Sequence, residues 1–192
     1  MRVFIGLDIS SEIRDRIGET MERLRHLAPD ARWVRTESLH VTLKFIGEAP
    51  ENKVLEIQET LKQIKAAAFE IEFKEAGFFP NPRSARAFWI GIHAPAALPQ
   101  LAATIDQKLE KIGIAVEEKP YKPHLTLARA KSGRLARCFE ILQQHLHPAD
   151  PMQFGTMIAR EFFLYESELL RGGARYTKLR GFSLATSPGR DE

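Results

Sequence analysis

The chain has almost no cysteine. Cys138 is the single one in 192 residues, which rules out an internal disulfide and a cysteine-based zinc site and leaves a reducing, cytoplasmic setting as the expectation. Excess charge of either sign is also missing. Lys and Arg number 28 against 25 Asp and Glu, a formal net charge of +3, so a local positive pocket is a better expectation than a broad polyanion-coating face. No apolar run approaches the roughly 20 residues that cross a bilayer. The opening MRVFIGLDIS is broken by Asp8 and has no small-residue cleavage site, so it reads as a strand. Low-complexity tracts are absent and the 12 Gly and 11 Pro are scattered, which excludes collagen-like and disordered classes. What remains is a folded protein with one core, with no membrane association and no obligate protein partner indicated.

Hydrophobic spacing supplies the elements. Val3, Ile5, Leu7 and Ile9 alternate as in a strand with one apolar face. Ser10 and Ser11 offer an N-cap to a helix running to about Ala28, with Ile13, Ile17, Met21, Leu24 and Leu27 on one stripe and Pro29 closing it. Residues 39–46 alternate again, and Pro50 opens a second helix carrying Val54, Ile57, Leu61 and Ile64. Strands are expected at 69–75 and 85–93, joined by the turn-rich GFFPNPRS. A like order returns about 85 residues later: a helical stripe from Leu98 to Ile112, a strand at 123–129, a helix over 135–146, and strands at 157–165 and 174–184. The reading is an α+β protein in which residues 1–192 form one two-lobed domain. Its α-β-α-β-β unit is repeated, roughly over 11–93 and 98–184, with mainly antiparallel sheets around a central cleft.

The repeated strands carry the informative residues. LHVTLKF holds His40 and Thr42, and PHLTLAR holds His124 and Thr126, so both read His-x-Thr-Leu. Alternation puts His and Thr on one face, about 6.5 to 7 Å apart, and the apolar residues on the other. A lone His on an amphipathic strand is usually a hydrogen-bonded surface residue. Two matched copies at one repeat offset point instead to chemistry on a phosphodiester. One neutral imidazole removes a proton from the attacking oxygen while a protonated one serves the leaving oxygen, and the Thr hydroxyls donate to the non-bridging oxygens. No metal or other cofactor is needed. Ordinary imidazole pKa values predict a bell-shaped rate with both limbs in roughly pH 5 to 8. The residues alone are symmetric and do not say which histidine is the acid.

SLHVTLKFIGE and YKPHLTLAR, with RVFIGLDI, GFFPNPRSARAFWIGI and LYESELLRGGARYTKL, resemble the two-histidine phosphoesterase superfamily and, within it, the RNA 2′,3′-cyclic phosphodiesterases once called 2′-5′ RNA ligases. The likeness covers nearly the whole chain. It implies a bilobal α+β fold and metal-independent opening of a terminal 2′,3′-cyclic phosphate to leave a 2′-phosphate. It also implies His40 as proton donor and His124 as proton acceptor, with RNA 3′ ends or cyclic-phosphate nucleotides as partners. Two other readings stay open: an enzyme acting on a small cyclic phosphate or a 2′-5′ linked oligonucleotide, and a non-catalytic RNA-end binding module.

Further residues carry functional and structural readings side by side. Lys44 shares parity with His40 and reads either as a cleft cation or as a solvated strand-end lysine. Arg129 falls on the face opposite His124 unless the strand bulges. Arg175 and Tyr176 follow a Gly-Gly and either clamp a nucleotide or pack as a turn. Of the aromatics Trp33, Phe78, Phe79, Trp89 and Tyr121, which are candidates for stacking on a base, Phe79 and Tyr121 lie in Pro-flanked loops and have the better chance of exposure. His145 and His147 lack a third metal ligand at any recognised spacing, and Cys138 reads as an inert, partly buried thiol.

Overall fold

The computed structural model describes residues 1–131, 138–146, 152–170 and 173–186. The first strand, β1 (Arg2–Asp8), is followed by α1 (Ser11–Leu24), whose first turn is capped by the Ser10 hydroxyl accepting from the Ile13 N–H. Next come β2 (Ala31–Trp33), β3 (His40–Glu48), α2 (Glu51–Leu61), β4 (Phe69–Phe79), β5 (Ala87–His93) and α3 (Ala97–Glu110). The remainder is β6 (His124–Ala130), α4 (Glu140–His145), β7 (Gln153–Ala159), β8 (Glu161–Leu170) and β9 (Gly173–Ser183).

These strands form two antiparallel sheets, as expected for the α+β class: a first of order β3-β1-β8-β9 and a second of order β2-β6-β5-β4-β7. Val3, Ile5 and Leu7 of β1, Ile13, Ile17 and Met21 of α1, and Phe88 and Ile90 of β5 belong to one continuous buried cluster. Each such side chain contributes roughly 1.5 to 3 kcal/mol by leaving water, so the two sheets share one core. Among the described residues no helix is long and apolar enough to cross a membrane.

Two local expectations change, and one strand, β2, was not expected. The strand expected at 157–165 is two strands broken at Arg160, because there the chain leaves the edge of the second sheet and enters the first. The apolar alternation runs on across the break and hides it. The three-residue β2 is too short to show a period. The helix expected over 135–146 is seen as Glu140–His145, while 132–137 and His147 lie outside the described residues.

Candidate active site

Each histidine motif opens a strand, and each strand carries the same irregularity immediately after its Thr. In β3, Thr42 pairs with Gly6 and Lys44 with Ile5, leaving Leu43 as an extra residue. In β6, Thr126 pairs with Trp89 and Ala128 with Phe88, leaving Leu127 extra. A bulge of this kind reverses the parity beyond it. Two successive residues are therefore buried in each strand, Leu43 with Lys44 and Leu127 with Ala128. The next residues, Phe45 and Arg129, return to the exposed face that carries His and Thr.

His40 Nδ1 lies 2.9 Å from the Ser38 carbonyl oxygen, and His124 Nδ1 lies 2.7 Å from that of Lys122. A carbonyl only accepts, so both Nδ1 atoms carry hydrogen and both Nε2 atoms are left as acceptors when the rings are neutral. His40 is wedged among Phe4 (ring centroids 4.6 Å), Tyr176 (4.9 Å, edge-on) and Tyr165 (6.1 Å). Burial drives its pKa down to about 4, against the opposing effects of the Ser38 carbonyl and the Asp8 carboxylate, while Arg129 and Arg14 reinforce the drop. His124 touches the edge-on ring of Phe79 at 4.8 Å. Its pKa is also lowered, first by burial and further by Arg129, with the Lys122 carbonyl opposing. Arg129 thus acts on both imidazoles, which puts the two motifs within reach of one cation. Without an anion present both rings are neutral at pH 7, a lower titration range than ordinary values predict.

Two cavities adjoin the motifs. One of ≈ 380 Å³ is lined by Thr42, Lys44, Phe45, Asp106, Tyr121 and His124 among others, so it touches both motifs. Another of ≈ 500 Å³ is lined by Ser38, Arg129 and Tyr176 together with Arg32, Trp33 and Arg35. His40 lines neither; it is reached through its neighbours Ser38 and Tyr176.

A family model described as LigT like Phosphoesterase matches this chain twice, over residues 7–89 and 90–176. The chain belongs to the LigT-like phosphoesterase family. An Archaeoglobus fulgidus relative named RNA 2′,3′-cyclic phosphodiesterase is 34% identical over 182 residues, covering 95% of this chain and 99% of its own. An Escherichia coli relative of the same name is 30% identical over 186 residues, covering 95% and 96%. Among solved structures, a Thermus thermophilus protein superposes with a TM-score of 0.79 at 28% identity, covering 97% and 99%. E. coli LigT complexed with 3′-AMP superposes at 0.76 and 29%, covering 95% and 97%.

In this LigT-like phosphoesterase the bulges also decide the residues that parity alone misplaces. Lys44 is neither a free cleft cation nor a solvated strand end: it is 5% exposed, and its ammonium is paired with Asp106 of α3 and donates to the Ala115 carbonyl at 2.8 Å. Arg129 is on the histidine face, which the simple alternation denied. Tyr121 is half-buried, and its hydroxyl donates to the Thr42 carbonyl at 3.0 Å, tying the segment before β6 to β3. Burial pushes its phenol pKa up. Phe79 packs against Trp89 (5.0 Å) and His124. Tyr176 meets His40, whereas Arg175, one residue earlier, is on the other face of the β8–β9 hairpin and is held by Glu168 at 2.6 Å, so it does not join the cleft.

Trp33 is pinned by its indole N–H donating to the Ala28 carbonyl at 3.1 Å, and Phe78 packs on Phe88 and Phe139. Cys138 is buried, and burial raises its thiol pKa. The sequence reading overlooked Phe4, Gly6 and Asp8, the second face of β1. Gly6 makes room for the site: a Cβ there would stand 2.9 Å from the Val41 carbonyl oxygen and 3.5 Å from His40 Cδ2. Asp8 is bound by Arg14 and Lys178. The alternation that marked Val3, Ile5 and Leu7 as core already assigned Phe4, Gly6 and Asp8 to the opposite face.

Proposed function

We propose that this protein hydrolyses the terminal 2′,3′-cyclic phosphate of RNA to a 2′-phosphomonoester, with His124 as general base and His40 as general acid. The observation that carries the reading is the pair of imidazoles, each fixed through Nδ1 to a backbone carbonyl and each under the influence of Arg129. His124 Nε2 takes a proton from water as the water oxygen bonds to phosphorus. The bond from phosphorus to the 3′ oxygen breaks, and His40 Nε2–H delivers its proton to that oxygen. The product carries a 2′-phosphate and a free 3′-hydroxyl, and the two rings exchange their proton with solvent to reset.

Thr42, Thr126 and Arg129 stabilise the charge on the non-bridging oxygens. The substrate contributes to its own turnover. Its negative charge beside a buried imidazole favours the protonated ring, so the proton that His40 donates is taken up as the anion binds. The curated relatives' shared name and their coverage of nearly the whole chain support the substrate class. The two successive family-model matches support the companion proposal that residues 1–192 form a single domain of two duplicated lobes, and the lone buried thiol suits a reducing compartment such as the cytoplasm.

The test is turnover of an RNA ending in a 2′,3′-cyclic phosphate in excess EDTA, with identification of the hydroxyl that keeps the phosphate. The expected result is full activity and a 2′-phosphate. EDTA-sensitive activity restored by zinc or manganese, or a 3′-phosphate product, overturns the mechanism. Cleavage confined to a 2′-5′ linked dinucleotide moves the assignment to that substrate.

A further inference from the structure

The two ends of the cleft differ in charge. At one end Arg32 of β2 and Arg129 of β6 are direct partners in the antiparallel ladder. Both are exposed, and among the described residues neither has a carboxylate ion pair. Like charges directly opposite across a ladder repel, and an anion between them removes that cost. Arg35 extends the positive wall, with Nε 3.4 Å from Glu37 and Nη2 donating to the Ala174 carbonyl. At the other end, Phe45 holds the position that Arg129 holds in β6, Lys44 is neutralised by Asp106, and Glu117 shares the wall with Lys119 and Lys122. The unneutralised cations on adjacent strands are at the Arg32 end.

We infer that Arg32 and Arg35, continuing from Arg129, form a subsite for the upstream phosphates of a single RNA strand whose cyclic end lies at the two histidines. The inference rests on the phosphodiesterase reading and adds a preference for polymer over mononucleotide. Adjacent strands are about 4.8 Å apart, so Arg32 is the first cation a polyanion meets on leaving Arg129 toward the sheet edge, where β2 is the last strand. Trp33 and Tyr176 line the same ≈ 500 Å³ cavity and supply the aromatic faces that accompany phosphate contacts in single-strand binding.

The experiment compares wild type, R32Q, R35Q and the double variant over a range of KCl. It measures kcat/KM on a short RNA with a cyclic-phosphate end and on a 2′,3′-cyclic mononucleotide, and also the affinity for the corresponding 2′-phosphate-ended RNA by fluorescence anisotropy. Wild type is expected to favour the RNA, with log affinity falling against log salt and the slope shrinking by about 0.7 for each arginine removed. The double variant is expected to lose roughly ten-fold on RNA at low salt, and the preference for RNA over mononucleotide is expected to collapse with it. Equal losses on both substrates, or a salt slope that ignores the substitutions, overturn the subsite. An Arg32-dependent slope in RNA binding without turnover keeps the subsite and removes the phosphodiesterase reading.

Discussion

His40 and His124 stand at the same position of two strands with the same bulge, yet their surroundings are built from opposite choices. In the first sheet the rung beside Thr42 pairs the small Gly6 with the large Phe163, and the next pairs Phe4 with Tyr165, whose rings stack at 4.9 Å. In the second sheet the rung beside Thr126 pairs the large Trp89 with the small Gly77, and the next pairs Ala87 with Phe79. A Cβ on Gly77 would stand 2.3 Å from the Trp89 ring, so large and small residues have exchanged strands. The result is an enclosed His40 under two tyrosines and a phenylalanine, and a more open His124 against the edge of Phe79. Shared backbone geometry with unlike walls leaves two equivalent imidazoles in different electrostatic surroundings, the kind of difference that the proposed division into acid and base requires.

The largest expected effect tests whether that difference is functional. His40→Ala and His124→Ala are each expected to lower turnover by about 10² to 10⁴. The double variant should lose much less than the product of the two, because acid and base act as a unit. A substrate whose leaving oxygen is already a stable anion needs no acid, so it should largely rescue His40→Ala and leave His124→Ala impaired. Rescue of His124→Ala alone reverses the roles. Wild-type turnover in either single variant removes that histidine from the mechanism.

The bulges also explain what the sequence shows and what it conceals. The His-x-Thr pairs, the apolar faces and the antiparallel class are visible in period-2 and period-3.6 spacing, because burial imposes those periods directly. A one-residue bulge has no fixed compositional mark: Val41 to Phe45 reads as an unbroken alternation, and only Leu127-Ala128 interrupts one. Strict parity therefore puts Lys44 on the exposed face of His40 and Thr42 and Arg129 on the buried face opposite His124, whereas Lys44 is buried and paired with Asp106 and Arg129 is exposed. The clue available in sequence was the run of two consecutive apolar residues, Leu127 and Ala128, which an alternating strand does not need.

Lys44 and Ala128, at matching places beyond the bulges, sharpen the comparison through stability. Ala128 is apolar and fully buried. The Lys44 ammonium is paired with Asp106, and the two side chains are only 3% and 18% exposed. Lys44→Met is expected to cost about 3 kcal/mol in urea unfolding, because Asp106 is left without its cation. Adding Asp106→Leu should return most of the loss, since a paired charge replaced by apolar groups is close to neutral. A cost below about 1 kcal/mol for Lys44→Met would show that this pair is solvated and contributes as a surface bridge does.

The smallest effect compares the two histidines as titrating groups. His40 is held at about 4 in the folded protein against 6.5 ordinarily, chiefly by burial. The unfolded chain therefore binds more protons at His40 than the folded one between those values, and stability falls as pH falls. The neutral ring's contribution is complete above pH 6.5, is lost as pH drops through 6.5 toward 4, and changes no further below that. Between pH 7 and pH 5 the loss is about 2 kcal/mol. His124 is shifted in the same direction but less enclosed, so its share is smaller. Unfolding free energies at the two pH values should show His40→Gln losing about 2 kcal/mol less than wild type on acidification, with His124→Gln between them. The same lowered values place the alkaline limb of kcat/KM below pH 6.5, because that profile reports the free enzyme, while the kcat profile lies higher once the bound anion has raised both rings. If His124→Gln protects against acid more than His40→Gln, the enclosed histidine is not the one whose proton binding is suppressed, and the contrast between the two walls fails at its source.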